Sequence, residues 1–157
     1  MRGTAEPFRK ASEIAAELVA RLGAINGAPF ETTMGALVFQ GRQSIDRDRT
    51  PCVTIIEGDD VPERRALTTT HQITQGYVLM AHLRCEDDNP NVAAHAGLRD
   101  LKRAIFTTNG KPDTTLGGRA VDVAYIGRQM SPRDAGQKLV VVLLEVAVRY
   151  VEDLANP

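Results

Sequence analysis

The stretch from Lys138 to Val151, Lys-Leu-Val-Val-Val-Leu-Leu-Glu-Val-Ala-Val-Arg-Tyr-Val, constrains the fold of this chain more than any other. It is long, rich in β-branched residues and free of Gly and Pro, the pattern of a strand rather than a helix. Its even positions Val140, Val142, Leu144, Val146, Val148 and Tyr150 are all apolar, so that face belongs to a core. The odd positions begin with Leu139, Val141 and Leu143 before turning to Glu145 and Arg149. A strand in a mostly antiparallel sheet normally keeps one face for water. Half of this second face is apolar, and a second helix or another subunit must cover it.

The rest of the chain supplies an α+β domain around that strand. Ile14, Leu18, Val19 and Leu22 recur at helical spacing, predicting a first helix from Phe8 or Ser12 to Leu22, with Ser12 as cap and Gly23 as stop. Met34 to Gln40 reads as a short strand, and residues 41–50 as a polar connection carrying Arg42, Arg47 and Arg49. Pro51 opens a strand that Gly58-Asp59-Asp60 is expected to end, and Val61 to Thr69, with Pro62 inside, reads as a polar loop. A long strand from Thr70 to Cys85 puts Tyr77, Leu79, Ala81, Leu83 and Cys85 on one face. Ala94, Leu98, Leu101 and Ile105 then mark the buried stripe of a second helix, Val92 to Phe106, with Asn89 or Asn91 as cap. Asn109-Gly110 breaks the chain, Leu116-Gly-Gly118 leads into a strand from Arg119 to Arg128, and Met130 to Gly136, with Pro132, connects to the closing strand. The order α-β-β-β-α-β-β predicts about five mostly antiparallel strands packed with two helices, in a single domain over residues 1–157.

Composition narrows the function. Hydrophobic residues at 43% and charged residues at 25% are globular values, which argue against disorder. A formal net charge of -1 provides no global attraction to nucleic acid or an anionic membrane. No run is long enough for a transmembrane helix and no signal-peptide core opens the chain, so the expectation is a cytoplasmic product without membrane contact. Cys52 and Cys85 lack CxxC spacing and read as buried, reduced thiols.

The sequence shows no catalytic constellation. His71, His82 and His95 form no metal or base motif, no Ser stands in a nucleophile elbow, and neither cysteine has a neighbouring base in the sequence. Glu57/Asp59/Asp60 and Glu86/Asp87/Asp88 fall where strands are expected to end. They read as solvated turn charge, the alternative being a divalent-ion site and a small metal-dependent enzyme. Arg42, Arg47 and Arg49 alternate with Asp46 and Asp48, which suits a salt-bridged or protein-contacting loop better than a phosphate track. Arg64 and Arg65 stand in a second polar loop, and Lys102 and Arg103 read as a solvated helix face. No catalytic, cofactor or metal residue is assigned, and no cofactor is expected.

Several stretches together resemble the tail terminator proteins of long-tailed bacteriophages, the lambda-type terminator and related tail-completion family. They are the helix Ile14-Ala-Ala-Glu-Leu18-Val-Ala-Arg-Leu22 and the strand Pro51-Cys-Val-Thr-Ile-Ile-Glu-Gly-Asp-Asp60. With them go the strand Tyr77-Val-Leu-Met-Ala-His-Leu83, the helix Leu98-Arg-Asp-Leu101-Lys-Arg-Ala-Ile105, Leu116-Gly-Gly118 and the apolar closing strand. The resemblance spans nearly the whole chain in pattern and size. It implies a non-enzymatic virion protein at the head-proximal end of the tail, assembled in the host cytoplasm. There a homohexameric ring caps the tail tube, stops its polymerisation, provides the surface for the head-tail connector protein and lets DNA pass only through its lumen. On that basis Leu139, Val141 and Leu143 are expected at the subunit interface. Arg42, Arg47, Arg49, Arg64 and Arg65, in the loops 42–49 and 61–69, are expected to contact the tail tube protein or connector. A connector or neck protein of similar fold is the alternative.

Overall fold

The closing strand organises the sheet by pairing on both sides. In the computed structural model, which describes residues 10–42, 44–131 and 136–157, the helices are α1 (Lys10–Gly23) and α2 (Pro90–Phe106). The strands are β1 (Val38–Gln40), β2 (Cys52–Arg64), β3 (Thr70–Arg84), β4 (Thr107–Thr108), β5 (Lys111–Pro112), β6 (Asp122–Met130) and β7 (Leu139–Asp153). The main sheet runs β1-β2-β3-β7-β6, antiparallel except for the parallel β1–β2 pair, and β4–β5 is a separate two-stranded ladder. This is the expected α+β architecture, with β3 at the centre of the sheet and β7 between it and the edge strand β6. The expected helix start at Phe8 and the loop proline Pro132 lie outside the described residues.

Both helices pack on one face of the sheet. Ile14, Leu18 and Leu22 of α1 and Ala94, Leu98, Leu101 and Ile105 of α2 join a core with Tyr77, Leu79, Ala81 and Leu83 of β3. All six even positions of β7 from Val140 to Tyr150 are buried in that core. At Gly97 a Cβ would meet Leu83 Cδ1, so a larger residue there would require the Leu83 side chain to shift where α2 lies on β3. Pro90 occupies the first turn of α2, where a missing N–H costs nothing, and Asn89 sits at the cap without a side-chain hydrogen bond. Ser12 lies inside α1 rather than at its start.

Several boundaries differ from expectation, among them the end of β6, which runs on to Met130 instead of stopping at Arg128. Residues Met34–Ala36 form a 3-10 turn, leaving β1 only three residues. Gly35 is packed against the Leu22 and Ile25 backbone there and donates its N–H to Ile25 O at 2.7 Å. The β6 strand begins at Asp122, because Leu116, Gly117 and Gly118 all take positive φ and turn the chain first. The largest correction concerns β2, which does not end at Gly58-Asp59-Asp60. A β-bulge between Glu57 and Asp60 absorbs one residue, and pairing resumes from Asp60↔Gln75 to Arg64↔His71. Thus Val61–Arg64, expected in a loop, belong to the strand, and the tip narrows to residues 65–69. Strand β3 holds this arm because β7 continues beside it to Thr70↔Asp153.

Candidate assembly surface

The face opposite the helices is built from cross-strand rows. One row runs Phe39, Thr54, Met80, Leu143, Gln129, and its neighbours contain Cys52, His82, Val141 on one side and Ile56, Val78, Glu145 on the other. A final pair, Arg84 and Leu139, closes one end. The odd apolar residues of β7 therefore lie beside Val78, Met80 and His82 of β3, forming a continuous half-buried strip. Among the described residues no helix packs on it. The strip is where the sequence placed Leu139, Val141 and Leu143, but the β3 contribution is visible only once register is known.

Part of this face is covered by the chain itself. The connection from β1 to β2 returns across it, with the Arg42 and Arg49 guanidinium carbons 4.9 and 5.9 Å from the Phe39 ring centroid. Beneath that side Cys52 and Thr54 are fully buried. Cys52 stands directly opposite His82, a proximity that thirty positions of intervening sequence hide. Burial pushes the Cys52 thiol up and the His82 imidazole down, so both are neutral at neutral pH and do not form an activated thiolate pair. The His82 Nε2 and Thr54 Oγ1 atoms are buried without a hydrogen-bond partner among the described residues. Both cysteines are free and buried.

The expected arginine groups fall at opposite ends of the sheet. Arg47 lies in a 3-10 turn, Arg47–Arg49, and lines a depression of about 200 Å³ with Asp48, Thr50, Arg84, Lys138 and Leu139. The Thr50 hydroxyl donates to Arg47 O at 2.7 Å and accepts from Arg84 Nε at 3.3 Å. Among the described residues, none of Arg42, Arg47 and Arg49 forms a salt bridge with Asp46 or Asp48, which corrects the salt-bridged reading of this loop. Arg64 and Arg65 sit on the β2–β3 arm, where Arg65 donates to Gln72 Oε1 at 2.7 Å. Arg64 lies twelve positions along β2 from Cys52, roughly 40 Å at about 3.3 Å per residue.

The arm is acidic where it leaves the domain. Glu57, Asp59, Asp60 and Glu63 are exposed, and Val61 and Leu67 are 67% and 91% accessible. Burial, reinforced by Glu152, Asp60 and Glu57, pushes the Tyr150 phenol up to about 12, which places these carboxylates around one ring. Among the described residues no group of three or more His, Cys, Asp or Glu side chains is arranged to hold a metal ion, so the metal reading of Glu57, Asp59 and Asp60 gains no geometric support. Both sheet edges resist simple extension. Ile126 bulges from β6. Arg65 N–H bonds inward to Thr70 O, and alternation along the ladder then turns the Pro62 nitrogen outward, removing a donor from that edge.

Two polar centres on the helix side escaped the sequence reading. Asp100, 2% exposed, accepts from Glu31 N and Thr32 N and pins the loop after α1 to α2. Arg21 donates to Ala104 O, Ile105 O and Thr107 O, tying α1 to the end of α2, and to Thr108 Oγ1. Asp113 accepts from Thr108, Thr115 and Gly117, and these bonds hold its carboxyl well below the usual range. These networks organise the helix layer. Asp100 carried a signal, because it falls on the buried face with Leu101 and Gly97; Arg21 carried none. Arg103 is exposed, as expected, and donates to Pro29 O at 2.7 Å, while Lys102 is half-buried over the Tyr125 ring. No helix among the described residues is long and apolar enough to cross a membrane. Set beside known proteins, the chain matches no family model and no curated protein.

Proposed function

We propose that this chain is a structural virion protein, a tail terminator of a long-tailed phage. Copies close into a homohexameric ring at the head-proximal end of the tail, cap the tube and present the surface for the connector. DNA passes through the lumen, and the role requires no catalytic residue or cofactor. The observation that carries the reading is the apolar strip of Leu139, Val141 and Leu143 beside Val78 and Met80, on a face that no helix covers among the described residues. Apolar strand surface bordered by charged loops is the composition of a protein interface. Closed rotation uses such a surface on every copy and leaves no free lateral contact, which is what ending a polymer demands. The blunted sheet edges favour contact through faces over indefinite strand addition.

The arm tip, with Arg64 and Arg65, and the loop with Arg42, Arg47 and Arg49 lie at opposite ends of the sheet, as a cap with different neighbours above and below would need. Class averages of the purified protein and of tail ends test the reading: a ring with a central hole is expected, and a monomer would end it. Binding to purified tails favours the terminator, whereas binding only to tailless heads assigns the connector role. Charge reversal at Arg47 and Arg49 should leave folding intact and reduce tail joining.

A further inference from the structure

A cleft of about 570 Å³ opens on the helix side of the domain. Its walls come from the last turns of α1 and α2, the loop at Pro29 and Phe30, and the β4–β5 hairpin. Hydrogen bonds tie these walls together. Arg21 reaches from α1 to the Ala104, Ile105 and Thr107 carbonyls, and its side chain is only 9% exposed. Thr107 Oγ1 donates to Arg103 O at 2.6 Å, and Arg103 Nη1 donates to Pro29 O at 2.7 Å. Ala24, Pro29, Phe30 and Ala104 supply apolar surface. Small-molecule sites have roughly this size, about 300–1,000 Å³, and walls already fixed need little ordering on binding.

The acidic groups around the cleft are already engaged. Glu17 is held by Arg21 at 2.9 Å and Arg119 at 3.6 Å, and Glu31 by Arg99 at 2.7 Å. Asp100 accepts from Glu31 N and Thr32 N, and Asp113 from Thr108, Thr115 and Gly117. Arg21 covers the carbonyls at the end of α2, offsetting the negative pole of that helix. By contrast, the Arg103 Nε and Nη2 donors and the Asn109 amide have no partner among the described residues. Lys111, opposite Thr108 on the hairpin, is likewise exposed and unpaired.

We propose that this cleft binds a small organic carboxylate. The free edge of the Arg103 guanidinium takes the carboxylate, whose planar geometry it matches, and the Asn109 amide donates beside it. The apolar part of the ligand lies against Phe30, Pro29 and Ala24. A bare inorganic oxyanion would leave that apolar surface unused, and a neutral ligand would leave the Arg103 donors unpaired. The cleft stands apart from the strip at Leu139, Val141 and Leu143, so the site does not depend on the ring reading.

The test titrates the full chain with benzoate and follows backbone amide chemical shifts. Saturable shifts are expected at Phe30, Arg103 and Asn109, with a Kd on the order of a millimolar for so small a probe. Benzamide, of the same shape but uncharged, should bind the wild type at least roughly tenfold more weakly. Arg103→Met should weaken benzoate by a similar factor, and Arg103→Lys, which keeps the charge without the fork, should fall between. Circular dichroism controls for folding, and the benzamide comparison needs no variant. Shifts that do not saturate by roughly ten times the expected Kd would overturn the proposal. So would shifts confined to other surfaces, equal binding of benzamide, or benzoate binding that Arg103→Met leaves unchanged. Inorganic phosphate that binds as tightly and displaces benzoate would make this a simple oxyanion site and also overturn it.

Discussion

The two faces of β7 carry similar side chains and have different fates. Val140, Val142, Leu144 and Val146 meet the helices and are at most 4% exposed, whereas Leu139, Val141 and Leu143, on the same strand, remain half-buried. Residue type does not separate these sets. What separates them is the helix layer, which α1 and α2 place on one side only, held by the Arg21 and Asp100 networks. An apolar side chain is therefore core or contact surface according to what the rest of the chain lays over it.

Substitutions can break that comparison. Leu144→Ala, at a fully buried position, should lower unfolding free energy by about 2–5 kcal/mol, read by chemical denaturation; a loss as small as at a surface site would mean the even face is not the core. Replacing Leu139 and Val141 by Lys should cost under about 1 kcal/mol in stability yet convert assemblies to monomers by light scattering. Large destabilisation without loss of assembly would make the odd face a second core instead.

The helix layer itself can be weakened at Asp113. Asp113→Ala should cost about 1–3 kcal/mol by leaving the Thr108, Thr115 and Gly117 donors without their acceptor. Because folding lowers the Asp113 pKa from 3.8, its contribution is present above that value and lost as pH falls through the folded one. Wild type and variant should therefore converge in strong acid, and a constant difference down to the lowest pH would remove the assignment. The smallest effect is expected at Pro62. Pro62→Thr returns an N–H donor to the outer edge of β2 and should change stability by no more than about 0.5 kcal/mol while promoting concentration-dependent association. Association unchanged by this substitution would leave the open face as the principal contact.

The legible parts of the fold were those with long, regular period. Strands β3 and β7 and the stripes of both helices lie where alternation and helical spacing put them. The arm was not legible, because Gly58, two aspartates and Pro62 are local signals for a stop. They were outweighed by the ladder that β3 and β7 offer, with the bulge absorbing the misfit. The candidate surface was half legible: Leu139, Val141 and Leu143 stood out by parity, while Val78, Met80 and the Cys52–His82 pairing required register.

By itself the sequence determined an α+β domain and a closing strand with more apolar surface than one core needs. Hydrophobic period alone sets both, since it follows from the backbone geometry of helix and strand. The tertiary structure decided which face was left open, that the arginine groups stand at opposite ends, and that the acidic run rides on an arm. Those are long-range facts, set by strand register and by which side the helices cross, and no local pattern encodes them.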